Sequence, residues 1–323
     1  MTGVFNMDMR AMVLFMASLS MTACGGGAAG SVTPPGNTSA IYSLQGVPAT
    51  AQAASQQLQQ QGIAGRAWVS DIASYEGSPQ FAQLYLQSTL RSSSMFLYML
   101  DIEPAAMVDL LVQMNQRGTQ GFAYKGSFII GAATYSVYAK DSAKSSTYSY
   151  EALTSTVNNT LSSLLTQVNL QGGRGFRWLG ASATTALPTA FSNLYARESG
   201  GPASYSYSAI SLGTNYAPAN GTSLLTALQQ GAANGSYYLE TRLAGSQYAM
   251  LFEHPAGSSA ATGYTITTVP AAESLSTLLQ TINTHGAQGA FFWGDVATLD
   301  GNFHHVFVNG MTPPHPLYGI VYP

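Results

Sequence analysis

The chain has 323 residues, of which 8% are charged, a formal net charge of −3 and one cysteine. Typical soluble domains carry roughly 25% charged residues; this chain lacks the clustered Lys and Arg of a nucleic-acid surface, and one cysteine provides no internal disulfide framework. Such a fold is held by its apolar core, and its neutral surface of hydroxyls and amides suits glycans or envelope proteins as partners.

Taken from the start, Arg10 precedes the apolar run "AMVLFMASLSM", and Cys24 follows it. The run is shorter than the roughly 20 residues that span a bilayer. "MTAC" (Met21–Cys24) resembles the lipobox of bacterial lipoproteins. That resemblance implies a signal peptide over 1–23, acylation of Cys24 as the first mature residue and, with Gly25 rather than Asp after it, sorting to the outer membrane. Residues 24–39, rich in Gly, Pro and Ser, read as a flexible linker.

Beyond the linker one phrase recurs five times at a nearly constant interval. Aligned on a glycine, the copies are "QQLQQQGIAGRAWVS" (Gly65), "LLVQMNQRGTQGFAYKG" (Gly121), "LLTQVNLQGGRGFRWLG" (Gly175), "LLTALQQGAANGSYYLE" (Gly235) and "LLQTINTHGAQGAFFWG" (Gly289). Three residues after each glycine stands an aromatic: Trp68, Tyr124, Trp178, Tyr238, Phe292. Upstream, segments such as "AIYSLQ" and "SYSYSA" alternate with period two, as half-buried strands do. The middle piece "STVNNTLSSLLTQVN" carries Val157, Leu161, Leu164, Leu165 and Val168 at helical spacing, and the first glycine of the phrase is expected to cap that helix in a left-handed conformation. Downstream pieces such as "FSNLYAR" read as a third strand.

The fold class is therefore α+β: five tandem βαββ repeats, over 40–90, 91–144, 145–201, 202–260 and 261–311. Residues 312–323 follow as a C-terminal capping strand. "PLYGIVYP" places Tyr318 as far beyond Tyr264 as Gly289 lies beyond Gly235, where a sixth unit's first strand would begin. Such a strand would cover an exposed sheet edge. The glycines follow a helix and precede a strand, the reverse of a phosphate-binding loop. The phrase resembles small bacterial domains of unknown function with an "LNxxGxxGW"-like motif, and tandem arrays of them in proteobacterial lipoproteins; Asn115, Asn169 and Asn283 match its asparagine, while Gln59 and Gln229 depart from it. The resemblance implies a fold and no catalytic residue. Low-complexity connectors (Lys140–Ser146, Arg197–Ser204) favour an open array, with a closed five-bladed α/β ring, as in the pentein fold, as the alternative.

Candidate chemistry is sparse. There is no G-x-S-x-G elbow and no short-spaced metal motif. His254, His285, His304, His305 and His315 all lie in the last two units or beyond; His304 and His305 point to opposite faces of a strand. Asp101, Glu103, Glu151, Glu198 and Asp295 stand at non-equivalent positions, and "AKDS" (139–142) and "ARES" (196–199) read as solvated strand ends. Trp68, Trp178 and their equivalents read as core. Tyr148, Tyr150, Tyr205 and Tyr207 read as core with an exposed, sugar-stacking row as the other possibility. No catalytic, cofactor or metal residue is expected. The expectation is a lipid-anchored outer-membrane repeat protein acting as a non-enzymatic structural or interaction scaffold for an envelope protein partner. A polysaccharide- or peptidoglycan-binding module and a divergent hydrolase are the alternatives.

Overall fold

The computed structural model describes residues 40–89, 94–155, 160–182, 191–233, 235–257 and 263–309. The signal peptide, Cys24, the linker, His315 and the proposed capping strand at 312–323 lie outside them.

Five units share one topology. The first is β1 (Ala40–Gly46), α1 (Ala51–Ile63), β2 (Ala67–Ala73), β3 (Phe81–Ser88). The second is β4 (Phe96–Ile102), α2 (Met107–Thr119), β5 (Ala123–Ile130), β6 (Ala133–Asp141), and the third β7 (Tyr148–Ser155), α3 (Leu161–Gly173), β8 (Arg177–Ser182), β9 (Phe191–Glu198). The fourth is β10 (Tyr205–Gly213), α4 (Gly221–Ala232), β11 (Tyr237–Ala244), β12 (Gln247–Pro255), and the fifth β13 (Gly263–Thr268), α5 (Leu275–Ala287), β14 (Phe291–Ala297), β15 (Phe303–Asn309). In each three-stranded antiparallel sheet the last strand lies in the middle, flanked by the first and second.

Local chemistry starts the helices. Thr50, Thr160, Asn220 and Ser274 each accept a backbone N–H of the first turn at their N-caps, a contact typically worth about 1 kcal/mol. The helix expected from Ser155 instead begins at Leu161, because Ser155 still pairs in β7 and Thr160 supplies the cap.

The two glycines of the phrase have roles that differ from the expected one. The first does not cap the helix: Gly62, Gly118, Gly172 and Gly286 are helical, and there the helix meets the next unit. A Cβ on them would stand 2.0, 2.2, 2.2 and 2.3 Å from the carbonyl oxygens of Phe96, Tyr148, Tyr205 and Ala40. The second glycine takes the left-handed conformation, with φ between 75° and 85° at Gly65, Gly121, Gly175, Gly235 and Gly289. It turns the chain from helix into strand.

The phrase asparagine fastens the same junction. Asn115 donates to the Tyr150 carbonyl and accepts its N–H (3.1 and 2.9 Å), and Asn169 does the same for Tyr207 (3.0 and 2.7 Å). A β-bulge in every second strand falls just after the phrase aromatic. At each bulge the aromatic's N–H is donated to the hydroxyl of a tyrosine from the next unit: Trp68 to Tyr98, Tyr124 to Tyr150, Trp178 to Tyr207 and Tyr238 to Tyr264, all at 2.7–2.8 Å.

The open array is overturned at the fifth junction. Helix α5 packs on β1, as each earlier helix packs on the first strand of the unit after it. Asn283 clamps the Tyr42 backbone at 3.1 and 2.7 Å, and Phe292 N–H donates to the Tyr42 hydroxyl at 2.9 Å. The cycle of contacts is closed.

Candidate functional site

Trp68, Trp178, Tyr238 and Phe292 are buried, and Tyr124 partly so. Tyr148, Tyr150, Tyr205 and Tyr207 are buried as well, because they are the keys and neighbours of the inter-unit joints. The acids are scattered among local partners: Asp101 with Arg117 (2.7 Å), Glu103 with Ser127 and Ser136, Glu151 with Arg174 (2.7 Å), Glu198 with Lys144 (3.7 Å). The strand ends expected to be solvated are partly sunk: Ala139, Asp141 and Ala196 are buried, and Lys140 donates to the Gln120 carbonyl at 2.9 Å. Among the described residues no group of three His, Cys, Asp or Glu is placed to hold a metal.

The histidines separate as expected of adjacent strand residues. His304 lies beside Thr298 and Thr268, and His285 stacks on Phe307 with ring centroids 3.9 Å apart. Burial lowers the pKa of both and the nearby His305 lowers them further, while at His304 the Asp300 charge partly opposes the shift. Nδ1 of His254 is buried without a hydrogen-bond partner among the described residues.

His305 is the centre of a buried ionic cluster. It is fully buried on the middle strand β15, Nδ1 at 2.6 Å from Asp295 and Nε2 at 2.9 Å from Glu273. With a carboxylate at each ring nitrogen, the site suits an imidazolium, which donates from both. Burial, the largest influence, works against the charge; hydrogen bonding and attraction from Asp295 and Glu273 together outweigh it and raise the pKa above the ordinary value. Tyr75 of the first unit joins from across the seam. Its hydroxyl donates to Asp295 at 3.0 Å, its N–H to the Glu273 carbonyl at 2.9 Å, and its ring lies 5.1 Å from that of Phe303. Burial and the Asp295 charge push the phenol's pKa upward, so it remains a donor.

A second ionic pair crosses the junction of units three and four. Nε of Arg177 lies 2.9 and 2.7 Å from the two carboxylate oxygens of Glu253, and Tyr207 donates its hydroxyl proton to the same carboxylate at 3.1 Å. Both charged side chains are buried.

Glu273, Tyr75, Arg177 and Glu253 were not singled out from the sequence. The signal was nonetheless present for the last two. In register with Arg177 the other units have Ala67, Ala123, Tyr237 and Phe291, and in register with Glu253 they have Leu86, Ala139, Ala196 and Val308. Opposite charges at apolar repeat positions of adjacent units predict each other.

Chemically, the His305 cluster is a closed rivet. Both ring nitrogens are engaged by carboxylates and the ring itself is buried, the geometry of a structural joint. A hydrolase reading asks for one unit with a polar pocket the others lack; unit five has the polar residues, but packed at a joint.

The cluster has a pH signature. His305 has a raised folded pKa, so its contribution is complete below the unfolded value of about 6.5 and is lost as pH rises through the folded value. Thermal melts of the full chain and of His305→Gln between pH 6 and 9 are expected to differ most at the acid end and to converge upward. A gap that is constant or widens with pH would show His305 to be neutral. His285 and His304, with lowered values, act in the opposite sense but are common to both proteins.

No protein-family model, no curated protein and no solved structure matches the chain.

Proposed function

We propose that this is a lipoprotein tethered to the outer membrane through acyl groups on Cys24, whose ring of five units is a non-enzymatic scaffold for an envelope protein partner. The anchor rests on the "MTAC" segment and its resemblance to a lipobox, and the kinship to tandem-repeat lipoproteins rests on the recurring phrase.

The observation that carries the scaffold reading is the outer face of α2. This helix buries Leu110, Met114 and Gly118 inward. It also exposes Val108 (66%) and Val112 (52%), which with Leu111, Asn115, Gln116 and Thr119 line a shallow hollow. Contiguous exposed apolar surface rimmed by polar residues marks interaction sites, whereas single exposed apolar residues are ordinary; the two valines share one hollow with a polar rim. Tagged, lipidated protein purified from detergent-solubilised envelopes is expected to bring down one stoichiometric partner, identified by mass spectrometry. Val108→Asp with Val112→Asp should lose that partner while melting within a few degrees of wild type. A partner retained by the double variant would remove this face from the reading, and recovery of the chain alone would count against a scaffold.

The glycan alternative relied on exposed tyrosines, and those considered for it are buried. Its remaining support is Tyr216, 56% exposed and edge-to-face with Tyr248 at 6.5 Å.

A further inference from the structure

We infer that the seat of β1 on helix α5 has a second ligand in the same chain, the segment Pro316–Tyr322, and that the two strands exchange there. The seat is a strand-recognition site repeated around the ring. Its elements are the bulge N–H that takes a tyrosine hydroxyl, at all five seats, and, at all but the fourth, the phrase amide and the helix glycine that lets a backbone approach. What it recognises is a tyrosine with an apolar residue two places on: Tyr42 and Leu44, Tyr98 and Leu100, Tyr150 and Ala152, Tyr207 and Ala209, Tyr264 and Ile266. Tyr318 and Ile320 are a sixth instance.

Chain length places this sixth instance at the fifth seat. From the end of a middle strand to the next tyrosine key there are ten residues from Ser88 to Tyr98. There are nine from Asp141 to Tyr150, from Glu198 to Tyr207 and from Pro255 to Tyr264. From Asn309, the end of β15, to Tyr318 there are again nine. The ordinary connector thus delivers Tyr318 to Asn283, Gly286 and the Phe292 N–H.

That seat holds Tyr42, which reaches it from 241 residues away in sequence. At the other four seats the occupant follows directly along the chain; at this one a distant strand and an adjacent one compete for a single place. When the C-terminal strand is in, it pairs with β3 in the register of β1, so Leu317 stands opposite Gln87 as Ile41 does now. The displaced residues 40–46 then extend the N-terminal linker.

Disulfide trapping tests this in the full chain carrying Cys24→Ser, which leaves only the introduced thiols. Gln87→Cys with Ile41→Cys is the control pair. Gln87→Cys with Leu317→Cys is expected to close a bond within one chain, several-fold faster when Tyr42→Phe weakens the resident strand and slower with Tyr318→Phe. The proposal is overturned if the control pair closes and the 87–317 pair does not, or closes only between chains. Thermal melts of Tyr42→Phe, Tyr318→Phe and the double variant give a second test. Each single variant leaves one competent key, so the double is expected to lose more Tm than the two singles summed; additive losses overturn the exchange.

Discussion

Gly172→Ala is expected to destabilise the protein by about 2–4 kcal/mol, whereas Gly173→Ala, one residue along, should leave stability unchanged or raise it by up to ~1 kcal/mol. On propensity alone alanine improves a helix interior by roughly 0.5–1 kcal/mol over glycine. At Gly173 nothing lies within 4 Å of a new Cβ, so that gain is unopposed. At Gly172 the same carbon would sit 2.2 Å from the Tyr205 carbonyl oxygen and 3.1 Å from the Tyr207 ring. The obstacle is backbone, so helix and strand must separate. Overpacking of this kind costs about 1–3 kcal/mol. Separation also stretches the two Asn169–Tyr207 bonds, each worth about 0.5–1.5 kcal/mol. Denaturant melts of the two variants decide it; equal stabilities would mean that the units do not meet through this glycine. Unit four already carries Ala232 and Gln229 at the glycine and asparagine positions.

Arg177→Met is expected to cost about 3–5 kcal/mol, because it leaves the Glu253 carboxylate buried without its cation. With some 2–4 °C of Tm per kcal/mol in chains of this size, the loss is about 6–20 °C. Adding Glu253→Leu should recover most or all of it. Buried ion pairs replaced by apolar residues of similar volume are often neutral or better, and here the case is stronger than usual. Both Nη atoms of Arg177 are buried without a hydrogen-bond partner among the described residues, so desolvation is incompletely offset. At equivalent positions Leu86, Ala139 and Val308 sit opposite Tyr42, Tyr98 and Tyr264, so an apolar neighbour is compatible with the tyrosine key. A double variant as unstable as the single would show that the pair, rather than its isolated charge, supports the junction.

The unit was legible because its determinants are local. Period-two strands, helical spacing in "LSSLLTQVN" and a glycine before each aromatic all act inside a single repeat. Closure was not legible, because it rests on Tyr42 meeting Asn283 and Phe292, and nothing near Tyr42 in sequence names those partners. The first glycine misled for a related reason. Glycine late in a helix ordinarily signals a cap, and only the neighbouring strand shows that Gly172 is there to admit a carbonyl. The His305 cluster was hidden because Glu273 and Tyr75 come from loops outside the repeating phrase, one of them in the first unit.

The seam also sets a schedule. Synthesised at about 5–20 residues per second, the chain makes Tyr42 roughly 12–48 s before Asn283, 241 residues later. For that interval β1 can pair with β3 of its own unit, but its other face has no helix to cover it. Each middle unit is sealed as soon as its successor is made; the first waits for the last, so an interrupted chain is left with an adhesive end.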